Sequence, residues 1–576
     1  MPDIAPVQAW LPKPGKGVGG NEQTSGPDAH RADLRNLLLI AAGWMLLLVL
    51  LPPAHDYPVI DDWIYSASVQ QQLNTGVFTM PGQSQASLVG LTLWGTGWAR
   101  LFGFSTTVLT YSTLFLALAG LLTFYALART LKTPPAGALL GTALLGLNPI
   151  FLHLSYSFMT DVPFLALVLI ACYAYVRGLQ PCGSSAWLLV GGVFSGWAFL
   201  IRQFGVLVPL GFLAYLFLNL LTERRWNQPR WWWQMLGVGL LPAFIAGGWL
   251  YWSRDTPPTQ AALSAEGWRS AFFMKEPWLR VSLLRVLALL VPTAFTAWTA
   301  IRIRRTRLWL IPLSLAIVGG GMLWASGVRE PWIGQTEQPF IFRLGSLAVE
   351  LPQKTFNFGG DGNIMRVGGI DFFEYHQQAI WSPEVWRALY IFGSVLGALL
   401  LAKACDSLLD WAGKRPLAFR PDAGFYMVGL AIAVVTVAAS GAIYDRYVLG
   451  FGAFMILFAV REACSWGRIA WGYSLAALVV LSLFSVTLKA DAMDHTNARF
   501  LAGYWFQARG ASAMSGLDWN RGLYYSNPEH IVTDLPVPGF RTDATFPYTS
   551  RLSGFTTRYV LAQTRTDLPP PVGGRK

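Results

Sequence analysis

Charged residues are scarce in this chain. Of its 576 residues, 13% are charged and 53% are hydrophobic. A water-soluble domain carries about a quarter of charged residues, so this composition excludes an ordinary soluble fold. Cysteine is scarce as well. The four cysteines lack metal-ligand spacing and lie in a predicted helix or near predicted cytoplasmic helix ends, so neither a zinc centre nor a disulfide framework is indicated.

The hydrophobic residues are organised into long runs. A helix needs about 20 apolar residues to cross the hydrocarbon of a bilayer. Because lipid offers the backbone no hydrogen bonds, such runs must be helices. The sequence predicts an all-α polytopic protein with about thirteen spans, at 34–53, 104–128, 136–153, 163–178, 186–201, 204–221, 232–252, 281–301, 308–326, 386–403, 424–443, 446–462 and 469–488. The segment 186–221 is either a broken pair or one long tilted helix.

The net charge of +12 is spread between the runs and forms no single stripe, which argues against a nucleic-acid partner. With a cytoplasmic N-terminus, the basic clusters all fall in inside connections, as the positive-inside rule requires. These clusters are Arg129 and Lys132; Arg177; Arg224, Arg225 and Arg230; Arg302, Arg304, Arg305 and Arg307; Lys403, Lys414, Arg415 and Arg420; and Arg461 and Arg468. The expected location is the cytoplasmic (inner) membrane, with the C-terminus and the site outside.

Most polar residues outside the spans fall on the extracytoplasmic side. The loop 54–103 contains two stretches, Asp61–Leu73 and Leu88–Phe104, that suit interfacial helices. A second long loop covers 327–385. The predicted domains are a disordered cytoplasmic tail (1–33), a transmembrane domain (34–488) and a small ordered extracytoplasmic region (489–576).

An acidic pair, Asp61 and Asp62, follows the first span. Two adjacent carboxylates beside the apolar phase repel one another and are partly desolvated, which can prepare a general base. The alternative is that Asp61 caps the next helix. Asp161 lies on the same predicted face, before Pro163, where Thr160 or Asp161 could also be a helix cap. Together the three carboxylates define a candidate pocket.

Two arginines are candidates for binding a lipid-linked phosphate. Arg202 interrupts an uncharged stretch, and an arginine at membrane depth is costly unless something binds it. Snorkelling to the headgroups is the alternative. Arg446 lies in a short outside turn, where Asp445 could simply neutralise it. Guanidinium matches phosphate geometry, which favours the phosphate hypothesis.

Further polar residues could line the same pocket: Tyr65, Gln203, Glu374, His376 and Tyr447. Glu374 and His376 could also ligate a metal, or belong to a solvated loop. Carboxylates serve both as metal ligands and as metal-free bases, so a divalent metal is left open and no other cofactor is indicated.

The order of these features resembles the GT-C superfamily of membrane glycosyltransferases. The shared features are an acidic pair opening the first outside loop, the stretch Met159–Phe164 after the third span, and Arg202–Gln203 between the fifth and sixth. The resemblance is strongest to bacterial relatives of protein O-mannosyltransferases and of the lipid A aminoarabinose transferase. It covers 34–221 by motif and extends to 488 by topology. The stretch Leu88–Leu91 lacks the Pro-rich signature of many relatives, which leaves the acceptor undefined.

The resemblance implies sugar transfer from a polyprenyl-phosphate donor to a glycolipid, glycan or protein acceptor, in contact with membrane lipid. It implies an inverting displacement with Asp61 as base, Asp62 as its neighbour and Asp161 as a second acidic position. The alternatives are a multi-pass transporter or lipid flippase, and an inactive homologue on the same fold. Transporters more often place polar groups at mid-membrane, whereas the acidic residues here gather at one predicted face.

Overall fold

The structure is a computed structural model, and the statements below concern only the residues that it describes. These are 27–53, 62–79, 87–181, 183–223, 227–255, 303–326, 366–367, 370–371, 383–413, 421–439, 449–464, 468–511, 513, 529–534, 536–537, 539–552 and 554–569.

Helices dominate the described residues, which confirms the all-α prediction. They are α1 (Pro27–Leu50), α2 (Asp62–Thr75), α3 (Val89–Phe102), α4 (Thr106–Thr130), α5 (Pro135–Gly146), α6 (Pro149–Ser155), α7 (Asp161–Gly178), α8 (Ser185–Ile201), α9 (Leu207–Glu223), α10 (Pro229–Ser253), α11 (Leu310–Ser326), α12 (Pro383–Gly413), α13 (Pro421–Ala439), α14 (Leu449–Cys464) and α15 (Arg468–Gln507), with short 3-10 turns at Gln203–Val206 and Arg305–Arg307.

Seven helices of the described part are long and apolar enough to cross a membrane, and the chain is a multi-pass membrane protein. The shorter apolar helices Ser185–Ile201, Ala423–Thr436 and Leu449–Arg461 coincide with further predicted spans. The predicted total of about thirteen is not confirmed, and the predicted span 281–301 lies outside the described residues.

The predicted span 136–153 is not one straight helix. Helices α5 and α6 meet at a bend of 63°. Asn148 stands between them, and its side-chain oxygen accepts a hydrogen bond from the backbone N–H of Ile150 at 3.0 Å. Pro149 follows as the first residue of α6. A capping side chain followed by proline is a helix-start signal, and it explains why a new helix begins here.

Helix α7 is the most enclosed of the candidate spans. In its apolar window 83% of the residues are buried within the protein, against 17% in both α1 and α10. It packs closely on α4, where a β-carbon added to Gly120 would lie 3.1 Å from that of Ala166. The first residue of this central helix is Asp161.

The two helices predicted in the first outside loop are present as α2 and α3. They pack on the segment that precedes α7. A β-carbon added to Gly95 of α3 would meet the ring of Phe158 and the side chain of Val69 on α2. The side chain of Phe158 is fully buried. Helices α2 and α3 therefore sit directly beside the start of α7.

The last helix, α15, has 40 residues. At 1.5 Å per residue it is about 60 Å long, roughly twice the thickness of the hydrocarbon layer. Its distal part carries a three-stranded antiparallel sheet in the order β3-β5-β4, formed by β3 (His530–Thr533), β4 (Phe540–Ser550) and β5 (Thr556–Arg565). A further pair of short strands, β1 (Arg366–Val367) and β2 (Ile370–Asp371), is antiparallel.

Buried polar contacts hold the sheet to α15. The Asp491 carboxylate accepts hydrogen bonds from the Leu552 backbone N–H at 2.9 Å and from the Arg551 guanidinium at 3.1 Å. His495 and Asp534 form a second buried contact at 2.8 Å. The small ordered appendage predicted at the C-terminus is thus a sheet docked on the last helix.

Candidate functional site

Arg202 lies at a break between two helices. Helix α8 ends at Ile201, Arg202 is extended (φ −142°, ψ 134°), and a 3-10 turn then leads into α9. The break settles the alternative for 186–221 in favour of a broken pair. It also turns the Arg202 side chain away from the helical repeat, so that the side chain can reach α7.

The break depends on a glycine. A β-carbon at Gly205 would overlap the backbone atoms of Ala198 and Phe199, the last turn of α8. All of these are backbone atoms, so no change of side-chain rotamer could relieve the overlap. Glycine is therefore the residue that allows the chain to pass this close to the end of α8.

Helix α3 is tied to the same break. The Ser87 hydroxyl donates a hydrogen bond to the Phe199 carbonyl at 2.7 Å, and the Trp197 indole N–H donates to the Gly90 carbonyl at 3.2 Å. The backbone N–H of Leu88 reaches the Ile201 carbonyl at 3.5 Å. These bonds satisfy polar groups at the end of α8 and hold the start of α3 against it.

Asp161 and Arg202 form a buried ion pair. Arg202 Nη1 donates to Asp161 Oδ1, and the exposed fraction of the Asp161 side chain is 3%. Among the described residues, Asp161 Oδ2 has no hydrogen-bond partner. The sequence predicted separate roles for these two residues, and the structure brings them together.

The capping alternative for Thr160 is not seen. Thr160 occupies the residue before α7, but its side chain makes no capping hydrogen bond. Asp161 stands in the first turn, where the helix dipole favours a negative charge. Its carboxylate is nevertheless directed to Arg202. The charge at the start of α7 therefore serves an interaction between helices.

The ion pair lines a narrow cleft. The remaining lining residues are Phe164, Phe204, Ile432, Thr436, Leu449 and Gly450. Apolar walls around one ion pair suit a ligand that has an apolar part and a charged head. The predicted site residues Arg446 and Tyr447 precede the lining residue Leu449 in the chain, but they lie outside the described residues.

Asp62 is the first residue of α2 and is almost fully buried, as is Tyr65 one turn later. Asp61 lies outside the described residues, as do Glu374 and His376. Gln203 opens the 3-10 turn beside Arg202. Asp62 and Tyr65 do not line the cleft of Asp161 and Arg202. Helix α2, which carries them, packs with α3 beside Phe158, in the segment before α7.

The structure brings together two residues that the sequence analysis did not select, Lys489 and Tyr156. The Lys489 ammonium lies 4.8 Å from the ring centre of Tyr156. Burial raises the pKa of the Tyr156 phenol above its ordinary value, so the phenol stays protonated. It donates to the Leu47 carbonyl at 3.4 Å. The available signal was that Lys489 is the first charged residue after the run 469–488.

Within the described residues, no group of three or more His, Cys, Asp or Glu side chains has an arrangement that could hold a metal ion. Asp161 is instead paired with the cation Arg202.

Comparison with known proteins places this site in a family context. Residues 92–252, which include Asp161 and Arg202, match the family model described as dolichyl-phosphate-mannose-protein mannosyltransferase. This match confirms the resemblance to the GT-C superfamily of membrane glycosyltransferases. Among curated protein sequences none matches this chain.

Several solved structures are similar to this one. ArnT from Cupriavidus metallidurans, bound to undecaprenyl phosphate, is 13% identical with a TM-score of 0.39, over 93% of this chain and 99% of that one. AglB from Archaeoglobus fulgidus is 14% identical with a TM-score of 0.41, over 88% and 60% of the two chains. The S. cerevisiae Pmt1-Pmt2 complex is 16% identical with a TM-score of 0.28, over 39% and 33%.

Proposed function

We propose that this protein is a glycosyltransferase that moves a sugar from a polyprenyl-phosphate donor to an acceptor at the outer face of the cytoplasmic membrane. The observation that carries the proposal is the buried Asp161–Arg202 pair in an apolar cleft, inside the segment that matches the mannosyltransferase family model. An ion pair at this depth is expensive to keep, which favours a functional role.

The cleft suits the donor's chemistry. Its aromatic and aliphatic walls offer contacts to an isoprenoid chain, and Arg202 offers a cation to the phosphate. A guanidinium carries five N–H donors, so the Asp161 carboxylate and a ligand phosphate can share it. Asp161 then has a positioning role, because it fixes the side chain that contacts the phosphate. Arg446 is a second candidate for the same phosphate, from its place in the sequence.

The reaction is a direct displacement at the anomeric carbon. Asp61 accepts the proton of the acceptor hydroxyl while the acceptor oxygen forms a bond to C1 of the sugar. The bond between C1 and the phosphate oxygen breaks, and the polyprenyl phosphate leaves with the electron pair. Arg202 stabilises the negative charge that grows on this leaving group. Attack from the opposite side inverts the configuration at C1.

The outer envelope of the source organism tests this proposal. Mass spectrometry of envelope glycans from a deletion strain and its parent should reveal a glycan that lacks one sugar residue. The wild-type gene should restore the sugar, and Asp161→Asn should not, at equal protein amounts in the membrane. Asp406→Asn is the matched control. Asp406 is also a buried carboxylate in an ion pair, with Arg307 at 3.1 Å, but it lies far along the chain on α12.

Two outcomes would reject the proposal. Identical glycans in the deletion strain and its parent would argue for a transporter or an inactive homologue. Full restoration of the sugar by Asp161→Asn would remove the Asp161–Arg202 pair from the mechanism.

A further inference from the structure

The turn between β4 and β5 carries an exposed aromatic side chain. Among the described residues of the C-terminal sheet and its turns, the exposed large apolar side chains are Phe555 and Tyr559, and the exposed fraction of Phe555 is 77%. Phe555 also has a left-handed backbone conformation, with φ 58°. This conformation is sterically unfavourable for a bulky residue. The two features together point to a contact outside the chain itself.

Hydrogen bonds within the turn hold this conformation. The Arg551 carbonyl accepts hydrogen bonds from the backbone N–H groups of Gly554 at 3.1 Å and of Phe555 at 3.3 Å. Gly554 has φ 83°, and a β-carbon added there would meet no atom within 4 Å. The turn is thus closed by its own backbone, and it presents Phe555 on its outside.

The apolar part of α15 shows where this helix leaves the membrane. The run 469–488 contains no charged residue, and its length is that of one span. The exposed fractions of Val480 and Leu483 are 67% and 66%, as expected for side chains that face lipid. Lys489 and Asp491 follow directly after the run. Because charged residues are costly in hydrocarbon, the helix leaves the hydrocarbon layer near Lys489.

The β4–β5 turn is bound to the first part of α15 beyond this boundary. The Arg551 guanidinium donates to the Asp491 carboxylate at 3.1 Å and to the Asp494 carboxylate at 2.8 Å. The Leu552 backbone N–H also donates to Asp491, at 2.9 Å. At 1.5 Å per residue, these two carboxylates are about 3–8 Å along the helix past Lys489. The headgroup layer is about 5–8 Å thick on each side of a bilayer, so the turn lies at the height of the headgroups.

The rest of the sheet extends along α15 away from the membrane. The ring centre of Tyr548 lies 4.9 Å from that of His495, and the ring centre of His530 lies 4.9 Å from that of Phe506. Contacts between sheet and helix therefore advance along α15 from the turn to the open end of the sheet. Phe506 is about 26 Å past the boundary at 1.5 Å per residue. The β4–β5 turn is thus the end of the sheet that is nearest to the bilayer.

We propose that the β4–β5 turn is a membrane anchor, in which the Phe555 ring enters the headgroup layer beside α15 and holds this end of the sheet at the bilayer surface. Aromatic side chains are favoured at this level of a membrane. The contact is apolar. Arg551, the one charged residue of the turn 551–555, is engaged by Asp491 and Asp494, so the anchor needs no anionic headgroup. The anchor does not depend on sugar transfer.

Photocrosslinking of the full-length protein in liposomes tests the anchor. The photoreactive amino acid benzoylphenylalanine replaces Phe555 in one variant and Tyr504 in another. Tyr504 is the matched control, because it is an exposed aromatic residue of α15, with an exposed fraction of 52%. It lies about 22 Å past Lys489 at 1.5 Å per residue, beyond the headgroups. After irradiation, mass spectrometry should find lipid adducts at position 555 and none above background at position 504. The yield at 555 should be equal in phosphatidylcholine with and without phosphatidylglycerol.

Three outcomes of the crosslinking would overturn the anchor. The first is the absence of lipid adducts at position 555, or equal amounts of them at positions 555 and 504. The second is a crosslink from position 555 to protein in place of lipid, since the turn would then face a protein partner. The third is an adduct that forms only when phosphatidylglycerol is present, which would assign the contact to charge.

Phe555→Asn separates lipid contact from folding. Asparagine tolerates the left-handed conformation better than phenylalanine, so this variant should unfold in micelles at the same SDS concentration as the wild type or a higher one. In liposomes its β4–β5 turn should lose protection against hydrogen exchange, because the lipid contact is absent. Tyr559→Asn, which changes an exposed aromatic residue on β5, should leave that protection as it is. Equal protection of the turn in the wild type and Phe555→Asn would contradict the anchor.

Discussion

Replacement of Arg202 by methionine should destabilise the protein strongly. The change leaves the Asp161 carboxylate, with an exposed fraction of 3%, without its cation. Removal of one partner from a buried ion pair costs roughly 3–5 kcal/mol, a large part of the typical 5–15 kcal/mol of total stability. Methionine keeps the length of the side chain, so loss of packing adds little.

The double variant Asp161→Leu/Arg202→Met distinguishes stability from function. Apolar side chains of similar size can replace a buried ion pair at little or no cost, so the double variant should recover most of the stability lost in Arg202→Met. It should not recover glycan transfer, because neither the cation nor its carboxylate is present. A stable double variant that makes the glycan would show that the pair has only a structural role.

The assay is equilibrium unfolding of the purified protein in mixed micelles with increasing SDS, followed by tryptophan fluorescence. Arg254→Met is the control. Its ion pair with Asp255, at 3.3 Å, is exposed, and its loss should change the free energy of unfolding by at most about 1 kcal/mol. If Arg202→Met unfolds at the same SDS concentration as the wild type, the argument from the buried pair is refuted.

Three further predictions concern the parts that support the site. Gly205→Ala should lower both stability and sugar transfer, since the added β-carbon would overlap the end of α8. Gly248→Ala on α10 is the control: its added β-carbon meets no atom within 4 Å, so it should be neutral in the same SDS titration. Asp491→Asn should lower the free energy of unfolding by about 2–4 kcal/mol, because the hydrogen bonds from Arg551 and Leu552 weaken. The C-terminal sheet should then become sensitive to limited proteolysis. Equal proteolysis rates for the wild type and Asp491→Asn would contradict this prediction. Desolvation lowers the pKa of His530, so the stabilising contribution of the neutral imidazole is present above pH 6.5 and declines as the pH falls below that value. His530→Gln should therefore flatten the pH dependence of the unfolding free energy between pH 7 and 5. An unaltered slope would disprove this prediction.

The helical membrane architecture could be predicted because each span carries its own signal in about 20 residues. The two helices between the first and second spans were also legible, from their apolar stretches. The break near Arg202 was one of two alternatives that the sequence left open. The bend between α5 and α6 was not predicted, although Asn148 and Pro149 carry the local signal. The apolar run 136–153 is long enough for one span, and it was therefore predicted as a single helix despite this cap and proline.

The partners within the site could not be read from the chain. Asp161 and Arg202 are 41 residues apart in the sequence. Hydrophobic periodicity and charge predict how deep in the membrane each residue lies and on which side of it. Which side chains contact one another is decided by packing. The sequence predicted a phosphate as the partner of Arg202, and the fold also gives it the Asp161 carboxylate beside an apolar cleft.

Direct measurement of sugar transfer tests the central claim most sharply. Purified protein in liposomes would receive the polyprenyl-phosphate sugars extracted from the parent strain and the envelope acceptor extracted from the deletion strain. We expect the wild type to release free polyprenyl phosphate in step with the growth of the acceptor by one sugar, and Asp161→Asn to release none above background. Equal release by the wild type and Asp161→Asn, or none by the wild type, would contradict the proposed function of this site.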